Sequence, residues 1–141
     1  MRKIGNIVFD CADPRRLAHF WSDVLGYPRL EYPEEMRREL LTAGLTDHDL
    51  LGRAIAEDPA GEGPRLYFQR VPEPKRVKNR VHLDLNATPG RRAEPGEVDA
   101  EVQRVVSLGA SVVGKSDVMW GPYREYHYVL ADPEGNEFCV Q

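Results

Sequence analysis

The sequence offers four histidines (His19, His48, His82 and His127) and two cysteines (Cys11 and Cys139), the side chains that titrate near neutrality or bind transition metals. His82 stands in the run Val81-His82-Leu83-Asp84-Leu85-Asn86, whose alternation is that of a half-buried strand. A histidine there serves as a general base or a ligand if it faces a pocket, and as a hydrogen-bonded core group if it does not. Asp84 shares its face, where a carboxylate could orient the imidazole or form a structural ion pair with Arg80. Glu137 and Cys139 share a face of the closing apolar segment by the same spacing. Glu137 reads as a catalytic acid or base at a pocket rim, or as a carboxylate paired with Arg80 or Arg124. His127, between Tyr126 and Tyr128, must face away from both. His19 and His48 fall on helix-like segments and read as surface residues.

The elements that must position these groups come as a repeat. Ile4 to Cys11 is a strand pattern, and Asp13-Pro14 then supplies an N-cap and a proline at the first helical position. Leu17, Phe20, Trp21, Val24 and Leu25 follow at helical spacing, and Gly26 stops the helix. Later, a strand from Arg80 to Asn86 precedes a helix from Val98 to Leu108, with Val98, Val102, Val105 and Val106 as its buried stripe. Two copies of one supersecondary unit imply a pseudo-symmetric fold with a cleft where they meet. Tyr27 to Tyr32 reads as a further strand, Glu34 to Ala43 and Asp47 to Ala56 as two helices, and Arg65 to Val71 as a strand. Pro72 to Lys78 is a basic connector between the halves. Strands are expected at Ser111 to Gly114, Tyr126 to Ala131 and Asn136 to Val140, with Asp132-Pro133-Glu134-Gly135 as a tight turn. Trp120, beside Met119, Gly121 and Pro122, falls in a loop before a strand and forms either a pocket wall or a satellite core.

At 141 residues the chain has the length of one domain. A formal net charge of -4 argues against nucleic acid, whose phosphates call for a basic face. No apolar run approaches the ~20 residues that span a bilayer, and two cysteines build no disulfide framework. The expected setting is a bacterial cytoplasm, with a small molecule as partner and neither nucleic acid nor membrane.

Asp13-Pro14, Phe20-Trp21, Leu25-Gly26-Tyr27, Asn79-Arg80-Val81-His82-Leu83-Asp84, Leu108-Gly109-Ala110 and the closing Asp132-Pro133-Glu134-Gly135-Asn136-Glu137-Phe138 together resemble the vicinal oxygen chelate superfamily. The nearest branch is the glyoxalase-like domain, in the group that includes glyoxalase I, extradiol dioxygenases and bleomycin resistance proteins. The resemblance implies an α+β fold of two paired βαβββ modules that form a U-shaped mixed sheet. Here it would be a single domain over 1–141, with module 1 at 1–74, modified by a helical insertion, and module 2 at 79–141. It also implies a homodimer.

In such proteins the cupped face holds a divalent metal and a small substrate that chelates it through two oxygens. Carried onto this sequence, the ligand positions fall on Asn6, seven residues before Asp13, on His82, and on Cys139, seven residues after Asp132. Gln69 takes the remaining place because it shares a face with Tyr67. Asn6 and Gln69 are weak donors for a transition metal, so His82 and Cys139 are the metal candidates if zinc, iron, manganese or nickel binds. The set therefore favours no cofactor. It reads instead as a small-molecule pocket framed by Asn6, Gln69, His82 and Cys139, with Trp120 at its mouth. A metal-dependent lyase, isomerase or dioxygenase and a drug-sequestering resistance protein are the alternatives, and His82 and Glu137 are the catalytic candidates should the chain be an enzyme.

Overall fold

The computed structural model describes residues 1–141. Strand β1 (Ile7–Cys11) runs into helix α1 (Pro14–Leu25), where the Asp13 side chain accepts the Arg16 N–H and Pro14 stands in the first turn. Gly26, at φ 72°, ends the helix in the left-handed region that a side chain disfavours. The apolar face of α1 buries Leu17, Phe20, Trp21 and Val24. Phe9 meets the Trp21 ring at 5.4 Å and the Phe68 ring at 5.1 Å. Each such side chain contributes about 2 kcal/mol by leaving water.

The chain divides into two compact units, Met1–Pro74 and Lys75–Gln141. In the first, β2 (Arg53–Ala56) and β3 (Leu66–Arg70) complete a three-stranded sheet of order β1-β3-β2. Strand β3 pairs parallel with β1 and antiparallel with β2. Leu66 and Phe68 point to the α1 side, which leaves Tyr67 and Gln69 on the other.

The second unit holds β4 (Asp84–Leu85), α4 (Pro95–Ser107), β5 (Ser111–Trp120), β6 (Tyr123–Ala131) and β7 (Glu137–Val140), in the sheet order β4-β7-β6-β5. Val98, Val102 and Val105 of α4 are buried, as are Leu130, Phe138 and Val140 of the sheet. The Asp132 carboxylate accepts the backbone N–H groups of Glu134 and Asn136 and the Asn136 amide. That geometry explains why the Asp-Pro-Glu-Gly-Asn run reads so clearly as a turn.

Both units use one plan: the first strand pairs parallel with the last, and the last pairs antiparallel with the one before it. They differ where β5 stands in the second unit. There the first unit carries α2 (Glu34–Thr42) and α3 (Asp47–Leu50), so it has three strands.

Several local expectations need correction. Tyr27 to Tyr32 forms no strand, because no neighbouring strand is there to take its backbone groups. The helix expected over Asp47 to Ala56 ends at Leu50, and Arg53–Ala56 is β2, whose alternate residues pair with β3. The strand expected from Arg80 shrinks to Asp84–Leu85, since pairing with the short β7 begins only where Leu83 accepts the Cys139 N–H at 2.9 Å. Trp120 is not in a loop; it ends β5 opposite Tyr123, in a hairpin turned by Gly121 at φ 59°. Val106 is 39% exposed and leaves the buried stripe of α4.

Candidate functional site

The face of the second sheet away from α4 gathers a cluster of possible donor side chains. Tyr126 and Tyr128 turn toward α4, where both hydroxyls donate to the Asp99 carboxylate at 2.6 and 2.8 Å. Alternation therefore puts His127 on the opposite face, together with Val129 and its ladder partner Cys139. Cys139 is also the ladder partner of Asp84. His82, two residues earlier, brings its Nε2 to 3.3 Å from the Asp84 carboxylate. One ligand atom each from His82, Asp84 and Cys139 lies within 4.8 Å of the others. These three residues line a cleft of about 630 Å³, with Asn86, Glu125, His127 and Gln141 among its other walls.

Burial, followed by the Asp84 carboxylate, pushes the Cys139 thiol up to about 11, so it stays protonated at neutral pH. The carboxylate thus stands between a thiol and an imidazole, both able to donate to it. The arrangement can hold His82 in one tautomer with its other nitrogen free to accept a proton. Arg91 supplies no free charge to the cleft, because it is tied to Glu97 at 2.5 and 2.8 Å.

The other expected site residues fall elsewhere. Glu137 lies on the Cys139 face, but its carboxylate accepts the Asn79 N–H at 3.0 Å and pairs with Lys75 at 3.1 Å, not with Arg80 or Arg124. Those contacts, with the backbone bond first, hold it at about 2. Asp84 likewise pairs with His82 instead of Arg80. Trp120 is 71% exposed and does not line the cleft. In the first unit, Asn6 is exposed just before β1, and Gln69 donates to the Asp10 carboxylate at 2.8 Å. The β1–β3 register pairs Gln69 with Asp10, four residues beyond Asn6, a separation of about 13 Å along a strand. These two amides are not brought together. Asp84 was legible in sequence as an orienting group, but not as a third donor. Glu125, Asn86 and Gln141 carried no signal beyond alternation.

A mixed α+β chain whose two sheets each pair first strand with last, with donors on the open face of one, defines a class of glyoxalase-like proteins. The model of the glyoxalase-like domain family matches residues 6–141, and the chain belongs to that family. No curated protein matches the sequence.

Solved structures share the fold. A glyoxalase/bleomycin resistance protein/dioxygenase family enzyme from Burkholderia phytofirmans is 16% identical, with 96% of this chain and 94% of that one covered at a TM-score of 0.61. The fosfomycin resistance protein FosX from Listeria monocytogenes, solved with Mn(II) and 1S,2S-dihydroxypropylphosphonic acid, is 11% identical, with 100% and 90% covered at 0.63. TioX from a Micromonospora species is 17% identical, with 99% and 97% covered at 0.53.

Relatives of this fold thus include a manganese-bound protein, and the donor set here can be tested against such an ion. Imidazole, carboxylate and thiolate suit zinc or iron better than manganese, which prefers oxygen ligands. The set fits a divalent cation once Cys139 ionises. Burial and the Asp84 carboxylate, which raise that thiol to about 11, make this ionisation harder than for a free cysteine.

Proposed function

We propose that this chain is a small-molecule-binding glyoxalase-like protein, with its ligand seated on the open face of the second sheet and a resting pocket poor in metal. The observation that carries the reading is the clustering of His82, Asp84 and Cys139 within 4.8 Å on the wall of the cleft. His82, Asn86 and Gln141 offer hydrogen bonds to an oxygen-rich ligand, and a protonated Cys139 adds a weak donor rather than an anionic ligand. Asn6 and Gln69 enter the proposal as further exposed amides. A cytoplasmic homodimer is part of the same proposal, and sedimentation would check its mass. A drug-sequestering groove would be rich in aromatic walls, whereas Tyr126 is the one tyrosine among the lining residues and no tryptophan or phenylalanine joins it.

A metal-dependent lyase, isomerase or dioxygenase is the second reading, and the three-donor set is what favours it. His82, Asp84 and Cys139 would hold the ion, which when bound would polarise a substrate oxygen. His82 is then either ligand or, without metal, base.

A thermal-shift screen of small hydroxy acids, diols and phosphonates on wild type and His82→Ala tests the primary reading. Compounds that raise the wild-type Tm should lose that effect in the variant, whose fold is spared because the His82 side chain is 46% exposed. Hits that stabilise both proteins equally would contradict it.

A further inference from the structure

Strand β5 is the outer edge of the second sheet: β6 pairs with one side of it, and no strand takes the other. It is exposed along most of its length. The two-residue turn Gly121-Pro122 makes Trp120 and Tyr123 a hydrogen-bonded pair, so alternation directs the backbone groups of Lys115, Asp117 and Met119 away from β6. A long bare edge recruits another strand unless a charge or a bend guards it. The bend of β5 falls near its start, between Val112 and Gly114. Lys115, the charge that would guard the edge, is drawn over the Tyr126 and Tyr128 rings at 4.5 and 4.9 Å.

The order of side chains along β5 fits a second copy of the same strand. With the two copies antiparallel and Ser116 opposite Ser116, Lys115 of each meets Asp117 of the other, and Val113 meets Met119 at both ends. Val113 and Met119 are each 62% exposed in the single chain. Lys115 and Asp117 stand opposite Tyr128 and Tyr126, so both project on the α4 side. There Lys115 reaches the Asp99 carboxylate at 3.9 Å, and Asp117 accepts from Arg124 at 2.7 Å. Pairing the copies strings charges of alternating sign across the joint, from Arg124 and Asp117 of one to Lys115 and Asp99 of the other. Sliding the copies by two residues sets Lys115 against Lys115 or Asp117 against Asp117, and a one-residue slip turns the faces over. Charge and apolar surface thus agree on a single register.

We propose that β5 is the interface between two copies of this chain, paired antiparallel about a two-fold axis at Ser116 into one continuous sheet. The inference rests on the homodimer of the proposed function and gives that dimer its contact. A joint of this kind closes on itself and leaves neither β5 edge open.

Sedimentation and cysteine cross-linking of the full chain test the assignment. Strand pairing makes a small interface, so wild type is expected to be dimeric at about 100 μM. Asp117→Pro removes an N–H that faces away from β6, a change an edge strand tolerates. It should weaken the dimer more than about tenfold and leave the circular dichroism spectrum unchanged. Ser116→Cys should oxidise to a covalent dimer, because facing residues of a non-hydrogen-bonded pair lie about 4.5 Å apart at Cα. Val118→Cys should not, since its two copies would stand about 14 Å apart. Wild type, whose Cys11 and Cys139 are both buried, is the blank. A monomeric wild type would overturn the interface and the homodimer together. A dimer that keeps its affinity in Asp117→Pro, fails to cross-link through Ser116→Cys, or cross-links equally through Val118→Cys would overturn the interface alone.

Discussion

Asp84 is the residue on which the chemistry of the second unit turns, because it faces both a thiol and an imidazole. Replacing it with asparagine removes the negative charge that helps hold Cys139 protonated. The thiol of Asp84→Asn should therefore titrate below the wild-type value of about 11, as read by the pH dependence of iodoacetamide alkylation. An unchanged midpoint would mean that burial alone sets it. The same proton governs metal affinity: a cation must displace it, so apparent zinc affinity should rise about tenfold per pH unit between pH 6 and 8. A flat profile would show that Cys139 is not a ligand. Much of this was legible in sequence, since alternation alone puts Asp84 beside His82 and Cys139 beside Glu137. What alternation could not supply was the ladder partner of each strand. That is why Glu137, expected near Arg80 or Arg124, is found holding Lys75 and the Asn79 amide.

Helix α1 shows how reliably short signals position an element. Asp13 caps it and Gly26 ends it, as Asp-Pro and Leu-Gly-Tyr indicate. Asp13→Ala should cost about 1 kcal/mol of stability in denaturant unfolding, and a change near zero would show the cap to be idle. Strand β7 carries a second testable anchor. Glu137 is depressed from 4.5 to about 2, so its contribution is fully present above pH 4.5 and is lost as pH falls through about 2. The Asn79 amide resonance should report that midpoint, whereas a midpoint near 4.5 would remove the hydrogen bond from the account. The sequence misled where an element depends on a partner rather than on its own pattern. Tyr27 to Tyr32 has strand-like residues but no strand to pair with, and Arg53–Ala56 becomes β2 because β3 takes its backbone. Local propensity yields to hydrogen-bond accounting in both places.

Across the chain, the repeat visible in the sequence is a repeat of strand order. Each unit joins its first strand to its last, and the first unit substitutes α2 and α3 for the outer strand β5. The substitution could be read from the helix-forming run Glu34 to Ala43, but the resulting loss of a strand could not, because that depends on how the ladder closes. Arg76 and Lys78 lie exposed just past the boundary between the units, beside Val77 at 76% exposure. Brief trypsin treatment should cut there first and leave two fragments of comparable size, while an earlier cut inside α1 or α4 would deny the units their integrity. In the proposed function, the open face of the second sheet seats the ligand, beside a pocket poor in metal. Elemental analysis of chain purified without chelators tests that claim most directly. Far less than one equivalent of zinc, iron, manganese or nickel is expected; a full equivalent, lost on replacing Cys139 with Ser, would contradict a metal-poor pocket.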